Sequence, residues 1–390
     1  MKARECVILD AVRTPIARGH AQRGALRAWR PDALFAHVIN ALLARNPVAP
    51  ALIEEVIAGC VTQTGEQGGN IARLAVLLSD LDRRSNGFSL NRACGSAQEA
   101  IHIAAAKIDA GDLDYAIAGG VESMSRVAMF SDLGGYDRVN PALLQKIEIV
   151  HQGESAERVC LEYGITREQM DDYSAESHRR AHAAQQSGFY RKLIAPLEGL
   201  DPDGHPFLLD YDEGIRADVD RARMAHLNPA FRPPGEGRIT GGNASQISDG
   251  AAALLLGDHA RAVADGLRPR ARFRARCCAA GNATLALLEV MPAADKALKK
   301  AGLSLQDIDV IEINEAFANV PLLWAKCSGA DMARINPKGG AVAHGHPLGA
   351  TGAILMGKLL QQLEEADAQF GLQIMCIAHG QATATIIERL

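Results

Sequence analysis

Phe88-Ser89-Leu90-Asn91-Arg92-Ala93-Cys94-Gly95-Ser96 is the stretch on which the reading of this chain turns. Phe88-Ser89-Leu90 is a short β-prone run that leads directly into a turn. Beyond the turn, Ile101, Ala104, Ala105 and Ile108 recur at i, i+3, i+4 and i+7, one face of an α-helix. Tyr115-Ala116-Ile117-Ala118 then reads as the next strand, closing on Gly119-Gly120. Upstream, Val7 to Leu9 and Val56-Ile57-Ala58-Gly59 also read as strands, and Leu34, Val38, Ala41 and Leu42 keep helical spacing. Strands alternating with helices predict an α/β fold whose sheet is largely parallel and covered on both faces.

Residues 121–247 break this pattern. They are polar and carry turn signals such as Asp201-Pro202-Asp203-Gly204 and Pro233-Pro234-Gly235. A helix is predicted over 167–187 in an insertion otherwise made mostly of loops. Ala251 to Leu256 resumes the strand pattern. The last third echoes the first: Leu305 to Ile311 resembles Leu52 to Ile57, and Gln373 to Ala378 resembles Asp114 to Ala118. The echoes are offset by roughly 255 residues, which suggests two copies of one unit. The expected division is 1–120 plus 248–270 as an N-terminal half, 121–247 as an inserted loop domain, and 271–390 as a C-terminal half.

The 390 residues are 48% hydrophobic and 22% charged, enough to bury large cores. No stretch approaches about 18 consecutive apolar residues, so no membrane span is expected. The start, Met1-Lys2-Ala3-Arg4-Glu5, has no apolar signal core, and a cytoplasmic location is the expectation. A net charge of −5 argues against nucleic acid as a partner. The eight cysteines (6, 60, 94, 160, 277, 278, 327 and 376) form no CxxC pair and are not spaced with histidines as zinc ligands are, so no metal is expected.

Several residues are candidates for chemistry. Cys94 precedes the first turn of a helix, where free N–H groups and the helix dipole are expected to lower a thiol pKa; the alternative is a small buried hydrophobe. Gly345-His346-Pro347-Leu348-Gly349-Ala350-Thr351-Gly352 sets an imidazole on a glycine-dense turn, where it can pair with a thiolate or simply hold the turn. His344 has a weaker case. Cys376 ends an apolar strand and can exchange a proton with a ligand carbon, or merely pack. Asn314, in Asn314-Glu315-Ala316-Phe317-Ala318, can donate to an oxyanion or cap a helix. Gly241-Gly242-Asn243-Ala244-Ser245 can let a long ligand lie along the backbone. Arg216, with Arg221 and Arg223, can meet phosphates, or form a solvated face.

Together these motifs resemble the thiolase family. The resemblance runs from Asp10-Ala11-Val12-Arg13-Thr14-Pro15-Ile16 to Thr385-Ile386-Ile387-Glu388, and includes Gly119-Gly120-Val121-Glu122-Ser123-Met124-Ser125. It implies two βαβαβαββ units in a five-layered αβαβα core, with an inserted loop domain over a coenzyme A site. It implies cleavage of 3-ketoacyl-CoA by CoA, or the reverse Claisen condensation, in a homo-oligomer (dimer or tetramer) with CoA as substrate and no cofactor. By motif, Cys94 matches the acylated nucleophile, His346 its activator, Cys376 the acid/base, and Asn314 the enolate oxyanion hole. The N–H groups of Cys94 and Ala378 match a second oxyanion hole. Arg216, Ser245, His151 and Ala244 match positions that line CoA. The segment from Gln152 to Glu157 looks more like degradative members. A biosynthetic acetoacetyl-CoA enzyme, a decarboxylating ketosynthase and a non-catalytic acyl-CoA-binding scaffold are the alternatives.

The sequence departs from the family near the expected site. Cys376-Ile377-Ala378-His379-Gly380 replaces Cys-x-Gly-Gly-Gly. Ala97 and Gln98 stand where Gly-Leu is common, Gln246 where a glycine is, and Gln152 where Met is. Phe317, His379 and Gln246 are expected to line the pocket, with His379 narrowing or polarising it.

Overall fold

The structure, a computed structural model, describes residues 4–134 and 139–390; Met1 to Ala3 and the insertion's Gly135 to Arg138 lie outside the described residues. The strands are β1 (Cys6–Arg13), β2 (Ala17–Arg18), β3 (Glu55–Gly59), β4 (Asn86–Leu90), β5 (Tyr115–Ser123), β6 (Leu197–Leu200), β7 (Pro206–Leu209), β8 (Ser248–Asp258), β9 (Ala271–Ala280), β10 (Val310–Ile313), β11 (Phe370–Ile377) and β12 (Gln381–Arg389). The helices are α1 (Pro31–Arg45), α2 (Ile71–Leu78), α3 (Ser96–Ala110), α4 (Pro141–Leu144), α5 (Gln152–Glu162), α6 (Arg167–Gln186), α7 (Arg221–Ala225), α8 (His259–Ala264), α9 (Val290–Ala301), α10 (Asn319–Ser328), α11 (Ala341–His344) and α12 (Thr351–Glu365).

The principal strands follow the order β10-β11-β12-β9-β1-β8-β5-β3-β4. The middle of this path is thin: β1 meets β9 only at Val7–Arg272 and Ile8–Ala271. On either side the pairings match. β3 and β5 are parallel, as are β10 and β11. β5–β8 and β8–β1 are antiparallel, as are β11–β12 and β12–β9, so the sheet is mixed and not largely parallel as the alternation of strands and helices predicted. The place of β4 beside β3 is taken in the second copy by a single parallel bridge between Ile311 and Ile335. Short 3-10 turns, Pro50–Leu52 and Leu305–Asp307, precede β3 and β10 alike.

Side chains alternate across a strand, so each sheet feeds two cores. Along β8, Ala251, Ala253 and Leu255 join the core under α1 and α2. Ala252, Leu254 and Leu256 point the other way, into a core shared with Ile101 and Ala104 of α3 and Ile354, Leu359 and Leu363 of α12. On the far side, Leu372 and Ile374 of β11 pack with Val290 and Ala294 of α9 and Leu323 of α10. The layers are therefore helix, sheet, paired helices, sheet, helix: a five-layered αβαβα core. Buried β strands of this kind read as continuous apolar runs, which is why the sequence showed them clearly.

The paired middle helices position the site. Their N-termini approach so closely that a Cβ on Gly352 would collide with the backbone N of Gln98. Residues 121–247, expected from sequence to be an insertion, hold α4 to α7 and the β6–β7 hairpin, although β5 runs past the expected boundary to Ser123. The longest helix of this segment, α6, begins with a capping box in which Gln169 N donates to Thr166 Oγ1 (3.1 Å) and Thr166 N to Gln169 Oε1 (2.9 Å). No described helix is long and apolar enough to cross a membrane.

Candidate active site

Cys94 sits where β4 turns into α3. Ala93 adopts φ 42°, left-handed for a residue with a Cβ, and so costs about 1–2 kcal/mol of local strain. Asn91 Oδ1 accepts from Ala93 N (2.8 Å), and Gly95 N donates to Arg92 O (3.0 Å), so the turn is held on both sides of the thiol. Cys94 is buried and packs with Leu355, Met375 and Ile377.

The imidazole arrives on the second copy's equivalent turn, ahead of α12. Gly345 adopts φ 108°, which favours glycine, and its Cβ position is filled by Ser248. Ser248 Oγ in turn accepts from His346 N (3.1 Å). Glu122 braces the same loop by accepting from Gly349 N (2.8 Å), Val61 N (2.9 Å) and Gln67 Nε2 (2.7 Å). Burial pushes the Glu122 carboxyl up, opposed by those donors.

Thr351 decides the tautomer of His346. Thr351 Oγ1 donates to Pro347 O (2.9 Å), so its contact with His346 Nδ1 (2.6 Å) uses a lone pair, and Nδ1 carries the proton. Nε2 is left with a free pair, 3.4 Å from Asn314 Nδ2. Asn314 Nδ2 also lies 3.7 Å from Cys376 Sγ. Asn314 itself follows β10 and ties back through its N–H to Ile374 O of β11 (3.0 Å). Its Oδ1 is buried without a hydrogen-bond partner among the described residues.

Cys94 and His346 line one cavity of about 330 Å³. Ala244, Ser245, Gln246, Phe317 and His151 line it too. Met124, Met129, Phe130, Phe231 and Leu348 complete an apolar wall that sequence reasoning missed. Phe231 belongs to the loop-rich insertion, where no periodicity marks a lining residue; it stacks on His151 at 5.0 Å between ring centroids. Thr351 lay inside the quoted glycine-rich turn, yet nothing in the spacing said that its hydroxyl would meet the ring.

Three expectations change. Burial pushes the Cys94 thiol well above its usual value, with Cys376 adding to the rise, so desolvation outweighs the helix N-terminus that was expected to lower it. His379 does not line the cavity: it is exposed at φ 59° in the β11–β12 turn, because the left-handed turn carries its side chain outward. Arg216 lines a separate cavity of about 420 Å³, with Arg223 and Gly241. The Gly241–Gln246 loop borders both cavities. Burial, then the like charges of Arg18 and Arg223, hold Arg216 below its ordinary value.

Elsewhere, burial lowers His346 to about 4 and raises Cys376 to about 11, the latter opposed by Asn314. At neutral pH the site therefore rests as two thiols and a neutral imidazole. His344 is buried but points away, its Nε2 3.5 Å from Lys358 Nζ. Gln246 Nε2 donates to Gly214 O, Val342 O and Ala343 O (2.9–3.1 Å), so its amide fastens the loop instead of reaching into the cavity. Ala378 directly follows β11 and is half-buried.

Residues 6–260 match the family model for the thiolase N-terminal domain, and residues 267–389 that for the thiolase C-terminal domain. The chain belongs to the thiolase family. Among thiolases, a 3-ketoacyl-CoA thiolase of Aeromonas hydrophila is 42% identical over 99% of this chain and 100% of its own length. One of Vibrio cholerae is 43% identical over 98% of this chain and 99% of its own. A crystal structure of the Bacillus anthracis acetyl-CoA acetyltransferase superposes with a TM-score of 0.90 at 32% identity, covering 100% of this chain and 99% of that one. The similarity thus runs the length of the chain.

Proposed function

We propose that this thiolase cleaves 3-ketoacyl-CoA with free CoA, yielding acyl-CoA and acetyl-CoA, and that the same site runs the reverse condensation. The degradative direction follows the relatives named 3-ketoacyl-CoA thiolase. The observation that carries the reading is the buried chain Cys376–Asn314–His346 beside a cavity that also holds Cys94.

In thiolysis, His346 Nε2 takes the Cys94 proton and the thiolate attacks the 3-keto carbon. The C2–C3 bond breaks, and its electron pair leaves as the enolate of acetyl-CoA. Cys376 gives its S–H proton to C2. Asn314 Nδ2 and the protonated His346 Nε2 face the enolate oxygen, and the N–H groups of Cys94 and Ala378 face the tetrahedral oxygen at the acyl carbon. Incoming CoA then loses its proton to the Cys376 thiolate and attacks the acyl-cysteine. Cys94 leaves and recovers its proton from His346. Each charge is created beside a group placed for it, which is where such sites gain most of their rate.

CoA enters as a substrate along Ala244, Ser245 and His151, and its phosphates meet Arg216 in the adjoining cavity. Burial first, and then the like charges of Arg18 and Arg223, disfavour the Arg216 charge, and a bound anion would offset both. In this reading residues 1–120 with 248–270 and residues 271–390 are the catalytic halves, and 121–247 covers the CoA side. His151 and Phe231, both from the insertion, line the cavity in support. The protein works as a cytoplasmic homo-oligomer, a dimer or tetramer; β4 ends the sheet with an edge open to pairing.

The test is a thiolysis assay across straight, branched and ring-bearing 3-ketoacyl-CoAs, with mass spectrometry of the intact protein. An acyl adduct on Cys94, absent in Cys94→Ala together with turnover, is the expected result. Turnover that survives Cys94→Ala would overturn it.

A further inference from the structure

Outside the active site, α3 and β9 bring together three side chains from two distant segments. Glu99 and His102 lie three residues apart on α3, hence on one helical face. Cys278 comes from β9, in the other sheet. Cys278 Sγ lies 3.4 Å from Glu99 Oε2, and His102 Nδ1 lies 3.5 Å from the same oxygen. All three donor atoms fall within 4.8 Å of one another.

The His102–Glu99 separation is long for a hydrogen bond, whose N–H···O distances cluster near 2.9–3.0 Å, while the thiol lies at an ordinary S–H···O distance from the same oxygen. Both separations also suit a shared cation. Zinc–ligand bonds of about 2.0–2.3 Å at tetrahedral angles place oxygen roughly 3.4 Å from nitrogen and roughly 3.6 Å from sulfur. The donor set is one thiolate, one imidazole and one carboxylate, which selects a borderline-soft cation over magnesium or calcium. The surroundings of His102 also fit. Its Nε2 lies 2.7 Å from Thr385 Oγ1, which receives Gln98 Nε2 at 2.6 Å, while Thr383 Oγ1 holds Gln98 Oε1 at 2.7 Å. With an ion bound, a lone pair of Thr385 Oγ1 can accept from His102 Nε2–H, which leaves the Nδ1 pair for the ion. Gln98, a departure from the family pattern, thereby acquires a role. Cys278 is partly exposed, which gives an entry path.

We propose that Glu99, His102 and Cys278 bind a thiophilic divalent cation of the zinc type, with water as the fourth ligand. The bound ion links α3, the helix that follows the nucleophile, to the sheet of the second half. Binding releases the Cys278 proton, so affinity rises with pH. Arg92 Nε, 3.4 Å from Glu99 Oε2, is the competing cation; it turns toward Gln381 Oε1, already 3.3 Å from its Nη1.

The test uses the full-length protein, stripped with a chelator and titrated with Zn²⁺ alone and, separately, with Co²⁺. The expected result is one tightly held ion per chain, with a thiolate-to-cobalt absorption band that persists in Cys94→Ser and disappears in Cys278→Ser. His102→Gln and Cys278→Ser should each weaken Zn²⁺ by at least about 100-fold, and Thr385→Val by about tenfold, the usual effect of removing an outer-shell partner. Zinc should raise the melting temperature of the parent and leave that of Cys278→Ser unchanged, a readout that survives if His102→Gln fails to fold. No stoichiometric ion, or an ion lost in Cys94→Ser and kept in Cys278→Ser, would overturn the assignment.

Discussion

His346 Nδ1 and Thr351 Oγ1 lie 2.6 Å apart, five residues along one turn, and that contact leaves Nε2 as the basic nitrogen. Replacing Thr351 with Val keeps the shape and removes the acceptor. A buried N–H is then stranded, at about 1–3 kcal/mol, or the ring adopts the other tautomer. The expected outcome is a kcat for thiolysis lower by roughly tenfold to a hundredfold with KM for CoA little changed, restored largely by Thr351→Ser. Steady-state kinetics on the three proteins decide it; a Thr351→Val enzyme at parental kcat refutes the role.

Asn314 Nδ2 reaches both His346 Nε2 and Cys376 Sγ. Asn314→Ala removes a donor placed for the enolate, at a cost of about 3 kcal/mol, or on the order of a hundredfold in rate. Because Cys94 and His346 remain, the acyl adduct on Cys94 should still form in single-turnover mass spectrometry, more slowly.

The pH dependence of stability follows from His346. Its folded pKa, about 4, is depressed below the unfolded value near 6.5, so the unfolded state takes up the proton first. Stability from keeping this ring neutral is present above about pH 6.5 and is lost as pH falls toward 4. Between pH 7.5 and 4.5 that loss is roughly 2.5 kcal/mol for this residue. Asp249, whose burial raises it to about 6, works in the opposite sense over the same range, so the comparison must be between proteins differing at one site. Urea unfolding of the parent and of His346→Gln at both pH values should show the parent losing more; equal losses would remove His346 as the cause.

The exposed, left-handed His379 leads to a different expectation from the one its sequence position suggested. His379→Gly should relieve about 1 kcal/mol of backbone strain and raise the melting temperature slightly. The ranking of acyl-chain lengths in thiolysis should stay as it is. A shifted ranking would place the side chain in the substrate path after all.

Gln246→Gly removes the amide that fastens the Ala244–Gln246 loop to Gly214, Val342 and Ala343. The expected result is a loss of about 1–3 kcal/mol in stability and a raised KM for CoA, with the rate of Cys94 acylation nearly unchanged. Thermal unfolding and the KM-against-kcat split separate this from a direct catalytic role.

Much of this was written locally. The i, i+3, i+4, i+7 face of α3, the unbroken apolar run of β8 and the repeat of strand patterns gave the layered α/β core, because helix and strand periods are properties of neighbouring residues. Cys94, His346, Asn314 and Cys376 stood out by their motifs at turns and strand ends. The tertiary structure alone decided how those groups are charged and aimed. Desolvation holds Cys94 and Cys376 as thiols, and it depends on everything packed around them from distant segments. The outward turn of His379, the tautomer set by Thr351 and the meeting of Cys278 with His102 likewise arise from contacts between elements, which no spacing along one chain can encode.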